Sequence, residues 1–553
     1  MAYNNTSDSD VTETFTDSES DDEIDIGSVS NSDNESDSGD EEQNKEEFFE
    51  EQRWKEEWFE PKTFTFDSSE SGISSYIPKN DENRPVDYFR LIFDHTLMQK
   101  IVQETNKYNF YTIRHEKLPE RYQKAIDATE HEMYTFFALY MLMAHTKKSR
   151  IKDYWSTDPL IATPMFADIM SRDRFHLLLR FLHFNDNEYQ PSDDKLHKIK
   201  PIIIHLRERF RKILVPYQDL CIDESLMLYK GRLSFKQYTP SKRRRFGIKI
   251  YFICDVHTGI ILDFIIYTGA ITDIIKFPDV GIFGSIVMTL MQSYLDKGHN
   301  LFLDSWFTSP ILFETLHARS TGACGPVRVN RVGLPQFENK ISSGQQVYKS
   351  TDNMLALKWY DKREVTILST IHQPQMRFTG KNNPKTKQPI RKPISIIDYN
   401  SKSGEIDKVY MQTSFVECIR KSVKWYRKLF FHMLDLLVFN TYLLYKMKAG
   451  ERPQSVDFHL QLIHEILQTY HTPKPTIGRS VHGCKPTRLT GRHFPTLVPQ
   501  TTERKNPQRK CFVCANTNRK PRTRTDSRYM CKDCDVGLCV VNCFEEFHTL
   551  VNF

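Results

Sequence analysis

"QDLCIDESLMLYKGR", residues 218–232, is the point at which the chain changes character. Upstream of it, apolar residues recur at helical spacing. Here an apolar run of strand length carries Asp223 within it and closes on Lys-Gly-Arg. The next segment, "FGIKIYFICDVHTGIILDFIIYTG" (246–269), reads as two strands joined by a Thr-Gly turn. "GSIVMTLMQSYL" (284–295) is helical, and "HNLFLDSWFTS" (299–309) is a further strand whose "LFL" runs into Asp304.

Three consecutive strands, a helix and another strand bearing an acid give the order of an RNase H-like α/β fold. Working outward, "RPVDYFRLIFDHTLMQKIVQETNKY" (84–108) starts on a proline suited to a first helical turn and spaces Phe89, Ile92, Phe93, Leu97 and Ile101 as one helix face. "EHEMYTFFALYMLMAHTK" (130–147) and "SRDRFHLLLRFLHF" (171–184) are helical as well. Residues 331–393 are polar, contain "GKNNPKTKQPIRKP", and read as an irregular insertion. Helical periodicity resumes at Asp407 and runs to 447, and a basic, proline-bearing link leads to a cysteine-rich end.

At 553 residues the chain predicts two to four domains. Residues 1–50 hold 18 Asp or Glu and one Lys, so a chain of overall charge +5 carries +22 over its remainder. The first 80 or so residues have too few aliphatics to offset chain entropy by burial and are expected to be disordered. The basic remainder, with Arg and Lys among Tyr, Phe and Trp, suits either a polyanion partner or a solvated basic surface. The best candidate for a membrane span, 429–447, contains His432 and Asp435, and the acidic start is no signal peptide. A soluble intracellular protein with neither membrane nor small-molecule partner is expected. Of the 11 cysteines, six lie within 511–543, a clustering that points to metal rather than disulfides.

Asp223, Asp304 and Asp407 are each readable as strand-end or helix-start acids. Together, two carboxylates from adjacent strands and a third from a helix can hold two divalent metals about 4 Å apart, which activate water and steady the leaving oxygen of a phosphodiester. Carboxylate oxygens suit Mg²⁺, or Mn²⁺ in its place.

"CIDESLMLYKGR", "YTPSKRRRFGIKIYFICD", "DSWFTSPILFETLHARSTGACGPVRVNR", "WYRKLFFHMLDLLVFNTYLLYK" and "DYWSTDPLIATPMFADIMSRDRFHLLLRFLHFND" together resemble the piggyBac transposase family, over roughly residues 84–553. The resemblance implies that Asp223, Asp304 and Asp407 are the family's three catalytic aspartates. It also implies the family's chemistry: nicking at transposon ends, a hairpin formed by the freed 3′-OH, hairpin opening and joining to TTAA targets by a homodimer in the nucleus. One departure stands out. The family pattern around the third acid is Gly-Gly-Val-Asp-x-x-Asp-Gln, whereas this chain reads "GEIDKVYM", with Tyr410 in place of the second aspartate. A phenol of pKa about 10 is a poor Mg²⁺ ligand at neutral pH. Glu224 points to the opposite face of the strand and is no substitute.

Lys242, Arg243, Arg244 and Arg245 precede a strand beside Asp223 and are candidates for phosphate contacts, or else a solvated turn or localisation signal. Trp306 reads as core. Trp425 stands where the family has a tryptophan near the active site, so it is a candidate base-stacking residue as well as a buried one. "RKSVKWYRK" (420–428) carries five basic residues in nine and predicts a DNA-facing helix.

The C-terminal spacing is Cys511-x2-Cys514-x16-Cys531-x2-Cys534-x4-Cys539-x3-Cys543-x4-His548. Two CxxC knuckles are expected to make one S₄ zinc set and the remaining three ligands a second Zn²⁺ site, with His493 either the eighth ligand or a packing residue. Arg519, Lys520, Arg522, Arg524 and Arg528 between the knuckles suit DNA, which the resemblance implies this domain binds at transposon ends. A RING-like recruiter of a ubiquitin-conjugating enzyme is the competing reading.

The expected architecture is therefore an α/β RNase H-like catalytic core with an inserted domain, a discontinuous helical domain around it, and a small C-terminal zinc domain. The expected boundaries are an acidic disordered region over 1–83, a helical dimerisation and DNA-binding domain over 84–217 and 417–498, the catalytic domain over 218–330 and 394–416, the insertion over 331–393 and the cysteine-rich domain over 505–553. The expected function is a DNA transposase. The alternative is a domesticated DNA- or chromatin-binding derivative with weakened catalysis.

Overall fold

The computed structural model describes residues 54–78, 84–115, 126–189, 191, 193–240, 245–337, 340–360, 363–382, 387–404, 406, 424–449, 453–472, 493–500, 505–518, 521–550 and 553. The chain forms two compact units, Met1–His471 and Thr472–Phe553.

The N-terminal helices of the first unit begin where the sequence supplies a cap or a proline. α1 (Pro85–Ile92) has proline in its first turn; α2 (His95–His115) follows; α3 (Glu130–His145) is capped by the Thr129 hydroxyl, which accepts from Glu132 N. α4 (Pro164–Ile169), α5 (Arg172–Phe181, capped by Ser171) and α6 (Lys200–Ile213) complete the N-terminal set. Later come α7 (Gly281–Met291), α8 (Pro310–Ala318), α9 (Ile394–Lys402), α10 (Trp425–Ala449) and α11 (Ser455–Tyr470). α3 and α10 are apolar around nearly their whole circumference because both run through the core, where Tyr140 stacks on Phe431 at 3.6 Å and Phe137 meets Phe430 at 5.4 Å. Among the described residues, no helix is long and apolar enough to cross a membrane.

The strands are β1 (Gly72–Ile73), β2 (Leu214–Val215), β3 (Asp219–Leu228), β4 (Gln237–Tyr238), β5 (Phe246–Asp255), β6 (Ile261–Ile266), β7 (Asn300–Leu303), β8 (Gly322–Pro326), β9 (Gln346–Ser350), β10 (Leu355–Tyr360), β11 (Glu364–Ser369), β12 (Met376–Asn382) and β13 (Pro389–Pro393). A mixed nine-stranded sheet runs β4-β5-β3-β7-β8-β11-β10-β9, with β6 also paired to β5. β3, β7 and β8 are mutually parallel; β5 and β6 on one side, and β11, β10 and β9 on the other, are antiparallel to their neighbours.

Asn440 and Asp263 tie α10 and α6 to this sheet. Asn440, wholly buried in α10, donates to the Ile261 carbonyl (2.9 Å) and accepts from Ile261 N (3.0 Å), so its amide pairs with the first residue of β6 as another strand would. Asp263 on β6, 1% exposed, takes Arg207 of α6 bidentately (2.8 and 3.0 Å) and Arg211 as well. A carboxylate so buried is tolerable only with such pairing.

The structure departs from the sequence reading in two places. Residues 331–393 are not irregular: β9, β10 and β11 extend the central sheet, and β12 pairs with β13. The long polar turns hid the strand signal of "LALKWY" and "EVTILS", whose residues are largely buried. The expected disorder also ends earlier than 83. Lys55 and Ser350 exchange both backbone hydrogen bonds at 2.8 Å, Phe59 is buried, Phe64 packs on His317, Phe66 on His299, and β1 pairs with β2. Aromatic residues among the acids carry this strap. It crosses at Gly298 (φ +78°), where a Cβ would lie 2.2 Å from the Thr65 carbonyl oxygen, so only glycine fits.

The second unit contains β14 (Pro495–Leu497), β15 (Arg509–Lys510), β16 (Asp526–Ser527), β17 (Tyr529–Cys531), β18 (Val536–Gly537), α12 (Phe512–Asn516) and α13 (Cys543–Thr549). β14-β17-β18 form a small sheet and β15 pairs with β16. Among the described residues, six form its buried apolar cluster, and two of them, Cys511 and Cys531, are ligand-type sulfurs.

Candidate active site and metal centres

Strand register brings two of the predicted acids together. β3 and β7 pair in parallel as Asp219↔Asn300 through Ile222↔Leu303, so the next position sets Asp304, just past the end of β7, beside Asp223 in the middle of β3. Both acids are half-buried, at the level where β7 ends and β3 continues on β5. The Asp223 carboxylate accepts from Glu224 N at 2.7 Å. The Asp304 carbonyl accepts from Phe307 N, Thr308 N and the Thr308 hydroxyl, which makes a tight turn of "DSWFT" and leaves the carboxylate at the strand's end. A crevice at the carboxyl ends of parallel strands, where the direction of connection reverses, is the usual ligand position of an open α/β sheet. Two hard carboxylates side by side fit a divalent cation such as Mg²⁺. Asp407, the third predicted acid, and Tyr410 lie outside the described residues.

α9 covers the same face of the sheet. The Lys402 ammonium lies 2.8 Å from Asp219 and 3.0 Å from Asp398, and 4.9 Å from the Phe302 ring centroid. Asp398 also receives His372 Nε2 at 3.0 Å, and His372 Nδ1 meets the Ser369 hydroxyl at 2.8 Å. This buried relay joins β3, α9 and the end of β11. Tyr399, one turn before Lys402, has its phenol pushed well above its ordinary range by burial and then by the charge of Asp304, against a hydrogen bond with the Ser403 side chain.

Beyond Asp304 the turn is held by cations that sequence reading passed over. Arg331 donates to the Ser305 and Trp306 carbonyls (3.3 and 2.8 Å). Arg328 and Lys249 sit over the Trp306 ring at 4.4 and 5.3 Å, and Phe283 meets its edge. Their sequence signal was the spacing of Arg328 and Arg331 just after a strand parallel to β7. Trp306 thus packs against the core as read from sequence, partly buried, with Arg328 and Lys249 over its ring.

Other predicted positions fall differently. Lys242, Arg243 and Arg244 are outside the described residues. Arg245 is exposed but precedes β5 by one residue, while Phe252 is the β5 residue opposite Asp223. Seven residues of strand put it about 23 Å from the acid pair, not beside it as the sequence reading expected. Glu224 pairs with Tyr251 on the other face, as alternation requires. Trp425 opens α10 half-buried, edge-on to Phe235 at 5.3 Å. The predicted DNA-facing character of 420–428 does not extend to Arg427, which is buried with its guanidinium on the Leu182 and Arg180 carbonyls. Lys424 donates to the Tyr108 hydroxyl.

In the second unit the eight ligand-type residues sort into two sets: Cys511, Cys514, Cys539 and Cys543, and His493, Cys531, Cys534 and His548. The expected S₄ set from the two CxxC knuckles is thus overturned. Each knuckle serves a different set, because β17 and β18 turn the second knuckle away from the first and carry Cys539 back towards it. Cys514 and Cys543 sulfurs are 3.5 Å apart; His493 Nδ1 is 3.4 Å from Cys531 Sγ and 3.6 Å from Cys534 Sγ; His548 Nε2 is 3.6 Å from Cys534 Sγ. Four donors about 2.3 Å from a tetrahedral ion are spaced by about 3.8 Å, close to these values. His548 Nδ1 is 2.7 Å from the Phe544 carbonyl, a contact that fixes the tautomer and leaves Nε2 as the ligand atom. Burial and the neighbouring Cys511 sulfur push the Cys539 thiol up to about 12, so four thiolates coexist here only around a cation. Arg522, Arg524 and Arg528 are exposed on this unit; Arg519 and Lys520 are outside the described residues.

The family model described as Transposase IS4 matches residues 84–442, and one described as a DDE_Tnp_1-like zinc finger matches 491–549. Human PiggyBac transposable element-derived protein 2 is 26% identical over 386 residues, 67% of this chain and 62% of the relative, so the chain spans under two thirds of that protein. Human PiggyBac transposable element-derived protein 3 is 24% identical over 481 residues, 84% of this chain and 76% of the relative. A cryo-EM structure of piggyBac transposase in a synaptic complex with hairpin DNA shares the fold, with a TM-score of 0.63 and 22% identity over 85% of this chain and 99% of that one. With a family model covering most of its length and the acid pair at the end of β7, the chain belongs to the transposase IS4 family, in its piggyBac branch.

Proposed function

We propose that this protein is a piggyBac-type DNA transposase that nicks transposon ends, forms and opens hairpins and joins the ends at TTAA, working in the nucleus as a homodimer. The observation that carries the reading is the register-matched pair Asp223 and Asp304 at the mouth of the parallel strands. The order β6-β5-β3-β7-β8 supports an RNase H-like core. In this reading Asp223, Asp304 and Asp407 hold Mg²⁺ or Mn²⁺, which when bound supplies an activated water and neutralises charge at phosphorus.

The chain's own residues do the rest. Arg331 keeps the turn after Asp304 rigid, so the carboxylate stays aimed at its partner. Lys249 and Arg328, beside Trp306, give a cationic edge next to the acids for backbone phosphates. No protein nucleophile is needed. The second unit, with Zn²⁺ in both ligand sets and its exposed arginines, grips the duplex.

A second reading has one specific observation in its favour: Tyr410 stands where the family pattern has a fourth acid, as expected of a domesticated derivative that binds DNA or chromatin without cutting. Incubation of a labelled duplex carrying the element's end next to TTAA with Mg²⁺ tests both. Nicks from wild type and none from Asp223→Ala are expected. No nicks from wild type but nicks from Tyr410→Asp would establish the second reading.

A further inference from the structure

We propose that Trp306 is a positioning residue for DNA: its indole seats Lys249 and Arg328 as a pair that takes backbone phosphates flanking the one cut at Asp223 and Asp304. The proposal rests on the DNA-cleaving reading above and adds to it the group that holds the cations in place.

The seat is built where a short strand stops beside a long one. β7 ends at Leu303, level with Ile222, while β3 runs on to Leu228. The turn "DSWFT" crosses the end of β7. Asp304 stays level with Asp223, whereas Lys249 pairs with Leu226, three residues further along β3, and alternation turns it to the opposite face. Trp306 reaches that face. Lys249 Nζ lies 5.3 Å and Arg328 Cζ 4.4 Å from its ring centroid, and Phe283 of α7 meets its edge at 5.3 Å. The next residue, Phe307, packs on Tyr251, which shares the Lys249 face of β5, at 5.7 Å. One turn therefore carries an acid on one side of the sheet's rim and a cation pair on the other, about 10 Å apart along the strand. A phosphate backbone laid over this rim meets both.

Charge balance identifies what the pair takes. Elsewhere in this unit cations are matched by acids: Arg207 and Arg211 with Asp263, Arg174 with Glu132, and Lys402 with Asp219 and Asp398. Lys249, Arg328 and Arg331 have no carboxylate partner among the described residues. Arg331 is instead spent on the Ser305 and Trp306 carbonyls, so three cations surround one indole. They repel one another, and the ring face offsets part of that repulsion without cancelling any charge. A carboxylate in the place of Trp306 would neutralise the pair, whereas an indole leaves it available to an anion. The guanidinium fork and the ammonium point charge both suit phosphate.

Duplex binding by the full zinc-loaded chain, followed by fluorescence anisotropy over a range of KCl without divalent metal, tests this with no cleavage required. Arg328→Gln and Lys249→Gln are each expected to lower the slope of log affinity against log salt by about 0.9, the loss of one phosphate contact. Trp306→Leu removes no charge, yet is expected to lower the slope by about 1 to 2, because both cations lose their seat. Trp306→Phe, which keeps a ring face, should restore the wild-type slope. A wild-type slope in Trp306→Leu beside a lowered one in Arg328→Gln would overturn the positioning role. Wild-type slopes in both glutamine variants would overturn the phosphate contacts, whether or not Trp306→Leu folds. Failure of the cleavage reading shows separately, as a chain that binds with its full slope and leaves no nicks in Mg²⁺.

Discussion

The two places where this chain gathers ligand-type residues are built in opposite ways. The acid site draws Asp223 and Asp304 from segments 81 positions apart and aligns them by strand register over a large apolar core that exists without any ion. The small unit draws its eight ligands from 493–548 and has six buried core residues, two of them ligands. In the first, the fold positions the site; in the second, the site holds the fold. The two should therefore respond to the same perturbation with different severity.

Removal of zinc should give the largest contrast. A strong chelator, or Cys539→Ser, is expected to unfold the second unit, with a loss on the order of 10 kcal/mol, while the first unit keeps its melting transition. Two-transition calorimetry checks this, and a second unit that melts unchanged after chelation would break the comparison.

Acid should reverse the order of the effects inside the first unit, where His145 Nε2 and His459 Nδ1 meet at 2.7 Å between α3 and α11. Burial, helped by the His145 charge, holds His459 down at about 3, and burial, opposed by Asn187 and helped by Arg427, holds His183 down at about 4. The folded state refuses protons that an unfolded histidine takes up below about 6.5, so this stability is complete above that pH and is lost progressively as pH falls towards 4. Melting of the first unit should fall between pH 7 and pH 5, and His459→Gln should flatten that slope. A slope equal to wild type in this variant would place the effect elsewhere.

Asn440→Ala is a smaller and more local test. It leaves the Ile261 N–H and carbonyl buried without partners, for an expected cost of roughly 2–5 kcal/mol in the first unit and none in the second. Denaturant titration of both units measures it.

The same contrast explains what was legible from residues alone. Spacing displayed the zinc ligands because they are local, yet the pairing was misassigned: sequence shows that two knuckles exist, not that β17 and β18 turn them into different sets. The acids of the sheet were legible only through the order of strands around them and through family blocks. Strands β9 to β11 were missed because polar turns dominate 331–393 and because register with β8 is a long-range fact. Arg331 carried only a faint signature, its spacing with Arg328 after a strand, since it acts on backbone carbonyls. The strap over 54–78 was hidden by its acidic surroundings, with Phe59, Phe64 and Phe66 the signal that composition averaged away.

The central claim is that the register-matched carboxylates cut DNA while other surfaces only hold it. Strand nicking per bound duplex, measured in Mg²⁺ for the full chain and for Asp304→Asn, tests it most directly. The account predicts wild-type binding and no nicks from Asp304→Asn, against clear nicking by the parent. Equal nicking by the two proteins would contradict it.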